Sequence, residues 1–532
     1  MNVFRYRYTP VALAVFVAAG WFLQQEVTSE SFITRNAVVD VTNGALIIRD
    51  QYLAFYLNDQ KVGYSRFVLQ EESEESDEQT GIPPHYDFQS ESFWKITAMG
   101  LPFELRIQHS GEVDKDLSLR SFRFNFTSSG QEINQIGFVD EEGLHVTTKS
   151  EDSTNKQVMP IEGEVYSTDI IPLLVAQEGL EVGTSYTFPI YDPLTLSFGD
   201  ISASVEENET IELADGTRVN THRIQMEMQG FQATSWVDEE GVVYKEVSRV
   251  AGMQMTALRE SGEEATDMDF VSPNLEAAQS GENAVTSDLV ESSQIVPDVQ
   301  FRNPNQVASM TAEIVGATVS DLSFPESDYQ DLVTVNGETI VIRTQRQDYE
   351  GVLARLANNP PPYTHEDEAL QIYLQDDALV QASSPRIREK AAEIADGAPN
   401  AWLASEAIAQ WLYRNISKEF RVTIPSAVEV LNSMKGDCNE HATLFAAMAR
   451  SIGIPTKIAA GLVYQDGVFA YHAWNEVYVD GQWLPIDATL NRIRMDAAYV
   501  KLAEGALDSQ AGLSRLIGNI DLTIEDYSLL EG

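Results

Sequence analysis

A chain of 532 residues with 35 Lys and Arg against 82 Asp and Glu carries a formal charge of −47. So acidic a chain lacks the basic face that nucleic acid requires, and its acid excess reads as a solvated, self-repelling surface. One cysteine excludes an internal disulfide, so packed cores must supply the stability, and the length allows roughly two to four domains.

Arg5 and Arg7 precede a fourteen-residue apolar run, Pro10 to Leu23, with no acid before Glu26. The run falls short of the roughly 20 residues of a spanning helix and suits the core of an export signal. Residues 1–25 are therefore expected to be a signal peptide or a retained anchor, with residues 10–23 as an inner-membrane tether. The remainder is expected in the periplasm or envelope.

From about Ala45 to Arg259 the apolar pattern has period two. Phe122, Phe124 and Phe126 alternate with Arg123 and Asn125, and Ile224, Met226 and Met228 with Gln225 and Glu227. Such alternation gives half-buried strands. Turn signals at Asn58-Asp59, Ala214-Asp215-Gly216 and Glu239-Glu240-Gly241 separate them, and Trp236–Tyr244 reads as a hairpin. Residues 26–260 are thus expected to form an antiparallel β-rich domain, with Glu71 to Glu78 as an exposed loop. Met226, Met228, Met253 and Met255 fill its core or line an apolar groove. Residues 261–300 read as an acidic linker, and 301–360 as a strand-containing connector.

From residue 361 onward the period turns helical. Ser384-Pro385 is a helix start; Ile387, Ala391 and Ile394 share one face, as do Ile408, Trp411 and Leu412. A third helix is expected over roughly Ser426 to Ser433. Strands follow Pro455, so 361–532 reads as an α+β domain.

The lone cysteine, Cys438, opens a further helix whose buried face is Leu444, Phe445, Met448 and Ile452. At a helix N-terminus the backbone amides and the dipole favour a thiolate and can hold an oxyanion. Asp437 reads as the helix cap, and Gly436 as a turn that leaves room for substrate. The dipeptides Asp466-Gly467 and Asp480-Gly481 are hairpin signals. With Val479 facing Gln482, Trp474 faces Asp487 and His472 faces Thr489, in a three-stranded meander. His472, Trp474, Glu476 and Asp487 then share a face, with His472 diagonal to Asp487. Thiol, imidazole and carboxylate together make a nucleophile, a base and an orienting acid. Trp474 and Glu476 are candidates for substrate binding; the alternatives are simple packing for Trp474 and a strand surface charge for Glu476. His441 is a rival base that a helix would point away from the thiol.

The segments Gly436-Asp437-Cys438-Asn439-Glu440-His441-Ala442, Ile452-Gly453-Ile454-Pro455, His472-Ala473-Trp474-Asn475-Glu476-Val477 and Gly481–Thr489 resemble the transglutaminase-like superfamily, the bacterial branch of the papain-type thiol fold. The resemblance implies that Cys438, His472 and Asp487 are the catalytic cysteine, histidine and aspartate. It implies acyl transfer through a thioester on protein, peptide or cell-wall amides, with no cofactor and no metal, since no calcium-loop pattern is present. A non-catalytic envelope scaffold built on the same fold is the alternative.

Overall fold

The computed structural model describes residues 49–530, except for 72–84, 271–292, 317–323, 357–360, 420–425, 506–512 and scattered gaps of one to four positions. The N-terminal signal or anchor and the tip of the acidic loop lie outside the described residues. The chain divides into two compact units that meet at residue 292–293.

The first unit is one antiparallel sheet of fourteen strands. Its first half is β1 (Arg49–Leu57), β2 (Gln60–Glu71), β3 (His85–Ala98), β4 (Leu101–Asp114), β5 (Leu119–Ser128), β6 (Gln131–Asp140), β7 (Gly143–Lys149) and β8 (Thr154–Met159). Helix α1 (Ile171–Glu178) intervenes. The second half is β9 (Ser185–Asp192), β10 (Ser197–Glu212), β11 (Arg218–Met228), β12 (Phe231–Val237), β13 (Val243–Val250) and β14 (Met253–Glu260). Each strand pairs with its sequence neighbour, except that α1 separates β8 from β9 while β1 pairs with β14.

The alternation read from sequence is realised here. Phe122, Phe124 and Phe126 are buried while Arg123 between them is exposed. The expected hairpin pairs Val237 with Val243. Met226, Met228, Met253 and Met255 are all buried as core. Inside the sheet, buried Asp169 ahead of α1 accepts from Ser90 and Ser167 and pairs with His109 at 2.6 Å. Those bonds satisfy a carboxylate that burial would otherwise penalise heavily. The start of the expected linker is not free chain. Helix α2 (Gly262–Thr266) carries a capping box from Ser261, and buried Lys61 donates to the carbonyls of Glu264 and Asp267.

The second unit joins what sequence divided. Strands β15 (Val307–Val315), β16 (Gln330–Asn336) and β17 (Thr339–Gln345), expected as a connector, form a sheet with the last strand of the chain. Helices α3 (Tyr349–Arg355) and α4 (Glu368–Gln371) lead to α5 (Pro385–Ile394) and α6 (Ala401–Asn415). A two-residue strand β18 (Ser417–Lys418), helix α7 (Ala427–Ser433) and strand β19 (Lys435–Gly436) precede α8 (Cys438–Ser451). After α8 come β20 (Thr456–Gln465), β21 (Val468–Val479), β22 (Gln482–Ile486), β23 (Tyr499–Glu504) and β24 (Asp521–Leu529).

The expected meander is therefore one strand short: the sheet order is β22-β21-β20-β23. Leu444, Phe445 and Met448 of α8 are fully buried, in one core with Trp402, Ile408 and Leu412 of α6 and with Ala473 and Val477 of β21. Asn475 fixes the helix to the sheet by donating to the carbonyl of Ala442 at 3.0 Å. The other face of β21 meets Tyr329, which receives a hydrogen bond from the Trp474 indole. Period two thus sends odd residues of β21 to the helix and even residues to the opposite layer.

Gly461 on β20 sets the approach of β23, since a Cβ there would lie 2.0 Å from the carbonyl oxygen of Val500. Gly461→Ala is expected to destabilise this unit by roughly 1–3 kcal/mol through overpacking. Urea denaturation followed by tryptophan fluorescence reads the change, and an unaltered midpoint would show that β23 shifts freely.

Candidate active site

Cys438 is the first residue of α8, and Asp437 is its cap. The Asp437 carboxylate accepts from the amide of Asn439 at 3.0 Å, and Glu440 reaches back to the amide of Asp437 at 2.8 Å. This reciprocal pair is a capping box, which fixes where the helix begins and so where the thiol stands. Gly436 has φ of 154°, and a Cβ on it would lie 2.3 Å from the Cβ of Glu440. The space expected for substrate beside Gly436 is therefore filled by the capping glutamate.

The predicted register holds as far as Asn475 opposite Ile486. There β22 stops, one pair before the expected partnership of Trp474 with Asp487. The Asp487 side chain ends the strand by accepting from the amides of Thr489 at 2.7 Å and Leu490 at 3.0 Å. Its other carboxylate oxygen, Oδ2, accepts from His472 Nε2 at 2.8 Å and from the Tyr499 hydroxyl at 2.7 Å. His472 and Asp487 are thus brought together as the diagonal reading required, by a turn rather than by continued ladder. The backbone amide of Ala473, the residue after His472, acts on the thiol in the direction that favours its charged form.

His472 uses one ring nitrogen on Asp487. The other, Nδ1, is buried without a hydrogen-bond partner, so the thiol is not bonded to the imidazole. Cys438, His472 and Asp487 are all 0% exposed.

The electrostatics revise one expectation. Burial pushes the Cys438 thiol well above its ordinary value, and Asp437, Glu440 and Asp487 push it the same way. This direction opposes the helix N-terminus, which favours a thiolate, and fits the reading in which His472 takes the thiol proton rather than the one in which it pairs with a standing thiolate. Asp487 goes the other way. Burial opposes its charge, but the His472 imidazole, its hydrogen bond, the Leu490 amide and the Tyr499 hydroxyl hold the carboxyl down at about 2. Four donors satisfy this buried carboxylate, so it remains an anion.

Glu476 braces the interior of this unit. Its carboxylate is buried, paired with Lys501 at 2.8 Å and bonded by the Tyr329 hydroxyl at 2.8 Å. Lys501 also donates to Glu504 at 2.8 Å. Trp474 is 1% exposed, packs edge-on to Tyr499 at 5.2 Å and donates to Tyr329 at 3.1 Å. It packs as a wall between His472 and Tyr329. His441 is turned from the thiol toward its own helix start, with Nδ1 on the carbonyl of Asp437 at 2.5 Å. Burial first, then the charge of Lys418, lowers its pKa to about 4.

Sequence reasoning missed Tyr499, Lys501 and Tyr329. Tyr499 and Lys501 lie on β23, a strand almost wholly buried on both faces, which gives no alternation to read. Tyr329 is more than a hundred residues from its partners, as the separation of 147 positions from Glu476 records, and no local signal announces it. Among the described residues, His85, Asp87 and Glu112 on β3 and β4 present ligand atoms within 4.8 Å of one another, in the other unit.

Comparison with known proteins agrees with this geometry at the level of superfamily. Residues 388–488 match the model of the transglutaminase-like superfamily, and residues 51–253 match a family described as a protein of unknown function, DUF3108. The chain therefore carries a transglutaminase-like domain behind a β-rich DUF3108 domain. No curated protein matches. Among solved structures, a candidate cysteine protease from Cytophaga hutchinsonii is similar at 18% identity, covering 43% of this chain and 90% of its own, with a TM-score of 0.30. A β-barrel-like DUF1849 protein from Brucella abortus is similar at 11% identity over 40% of this chain and 98% of its own, also at a TM-score of 0.30. At such scores neither likeness carries weight for fold or function.

The low pKa of His441 makes stability depend on pH. A histidine whose folded pKa of about 4 lies below its unfolded value of about 6.5 is neutral in the fold and takes up a proton on unfolding. Its contribution is complete above pH 6.5, declines as pH falls toward 4, and amounts to roughly 3 kcal/mol. Denaturant unfolding at pH 7 and pH 4.5 is expected to show this loss, and His441→Asn to reduce it. An equal loss in the variant would remove His441 as its source.

Proposed function

We propose that the transglutaminase-like domain is a thiol acyl-transfer enzyme acting on amide bonds of protein, peptide or cell-wall material. Cys438 is its nucleophile, His472 its base and Asp487 the anion that orients His472. The observation that carries this reading is the state of His472: Nε2 is fixed on Asp487, while Nδ1 is buried and unpartnered, next in the chain to the amide of Ala473 that acts on the thiol. An imidazole anchored through one nitrogen, with the other left unpartnered, is what general-base activation of a thiol needs.

The chemistry follows. As sulfur attacks the carbonyl carbon, its proton passes to Nδ1 of His472, and Asp487 stabilises the resulting imidazolium. The carbonyl oxygen becomes an oxyanion near the N-terminal amides of α8, which carry partial positive charge. Collapse breaks the C–N bond, and the imidazolium returns its proton to the departing amine. Water or a second amine then attacks the thioester, with His472 again taking and returning the proton. The scheme needs no cofactor or metal. Because the three groups are wholly buried, substrate must open the site, and contacts made on entry bring Nδ1 and sulfur into line, as catalytic bonds often tighten only in the complex.

The Arg5, Arg7 and Pro10–Leu23 pattern supports an envelope location, with residues 10–23 as cleaved signal or inner-membrane tether. The β-rich domain then recognises substrate or a partner. A second reading, a binding or scaffold domain without turnover, is favoured by the raised thiol pKa and the missing thiol–imidazole bond.

Alkylation of the lone cysteine by iodoacetamide separates the two, because intact mass reports a single site. Slow labelling at neutral pH is expected in the wild type, at least ~10-fold slower still in His472→Ala, in keeping with the loss of a general base. Equal rates in both proteins would favour the scaffold.

A further inference from the structure

Asp487 Oδ2 is shared. It accepts from His472 Nε2 at 2.8 Å and, on the same atom, from the Tyr499 hydroxyl at 2.7 Å. Oδ1 is taken by the amides of Thr489 and Leu490, so the carboxylate has no lone-pair direction left for a solvent donor. The Tyr499 ring is held from three sides. Trp474 meets it edge-on at 5.2 Å, His472 lies 6.3 Å away, and the Arg492 guanidinium sits 5.3 Å from its centroid. Arg492 is fixed in turn by Asp496 at 3.2 Å and by the Tyr464 carbonyl at 3.2 Å. The hydroxyl is buried and its pKa is raised, so it remains a donor at every working pH.

We infer that Tyr499 is a positioning residue of the active site, which holds the Asp487 carboxylate in place and takes part of its charge away from His472. A hydrogen bond is strengthened by negative charge on its acceptor, and a second donor on one oxygen weakens the first. Tyr499 therefore sets two properties of the imidazole. It fixes the rotation of the carboxylate, and hence of the ring. It also limits how strongly Asp487 can stabilise a positive charge on the ring. Trp474 serves the same end by keeping water from the shared oxygen. The catalytic consequence rests on the proposed thiol chemistry; the effect on the imidazole does not.

The test is Tyr499→Phe in the full chain, with histidine labelled and the His472 ring signals assigned by their loss in His472→Gln. The variant keeps the aromatic ring. The His472 titration is expected to move up by about half a pH unit or more, because the carboxylate loses a donor. The Cys438 alkylation profile should shift upward with it. An unmoved His472 titration in a folded variant overturns the inference, even where thermal stability falls, since lost packing alone would not shift the titration. A moved titration with an unmoved alkylation profile upholds Tyr499 as tuning the imidazole and counts against the thiol chemistry instead. Should the variant not fold, labelled tyrosine in the wild type gives the answer. A slowly exchanging hydroxyl proton that disappears in Asp487→Asn is expected, and a rapidly exchanging one contradicts the shared bond.

Discussion

The second unit depends on one carboxylate placed where water cannot reach it. Asp487 is 0% exposed, and an unpaired anion there would cost several kcal/mol. Two backbone amides, one imidazole and one phenol meet it, and the geometry of the site follows from those four bonds. The amide bonds end β22 and turn the chain toward Arg492. The imidazole bond fixes the tautomer of His472. The phenol bond ties in β23, and β23 through Lys501 ties in Glu476 and the Tyr329 layer.

The same burial that makes Asp487 a fixed anion makes Cys438 a neutral thiol. Both effects come from removing water, and their signs differ because only Asp487 has enough donors. For the sulfur, the effect of the Ala473 amide is outweighed by burial and by the carboxylates of Asp437, Glu440 and Asp487. Asp487 is therefore held as an anion while the Cys438 thiol is pushed toward its neutral form, and Nδ1 of His472 is buried without a hydrogen-bond partner.

Much of this was legible in the chain. The thiol at a helix start follows from Asp437 as cap and from the buried face of Leu444, Phe445 and Met448, and the Asp480-Gly481 turn set the β21–β22 register correctly up to Ile486. Period two then placed His472 and Trp474 on one face. What escaped was non-local or without periodicity. The partner of Glu476, Lys501, could not be read from facing direction, because it arrives from a later strand. The thiolate expectation weighed the helix terminus, whose effect is legible in sequence, and not desolvation, which only the packed structure reveals. The strands around residues 307–345 looked like a connector because their partner, β24, lies at the far end of the chain.

The most direct test of the account is intact-mass analysis of the full chain after brief exposure to an activated acyl ester such as p-nitrophenyl acetate. The account predicts one acyl group, on Cys438, that forms and then turns over with released nitrophenol. Its formation should slow by ~10²–10⁴-fold in His472→Gln, as expected for a lost general base. Acylation confined to lysines, or a Cys438 adduct forming equally fast without His472, would contradict a thiol activated by the His472–Asp487 pair.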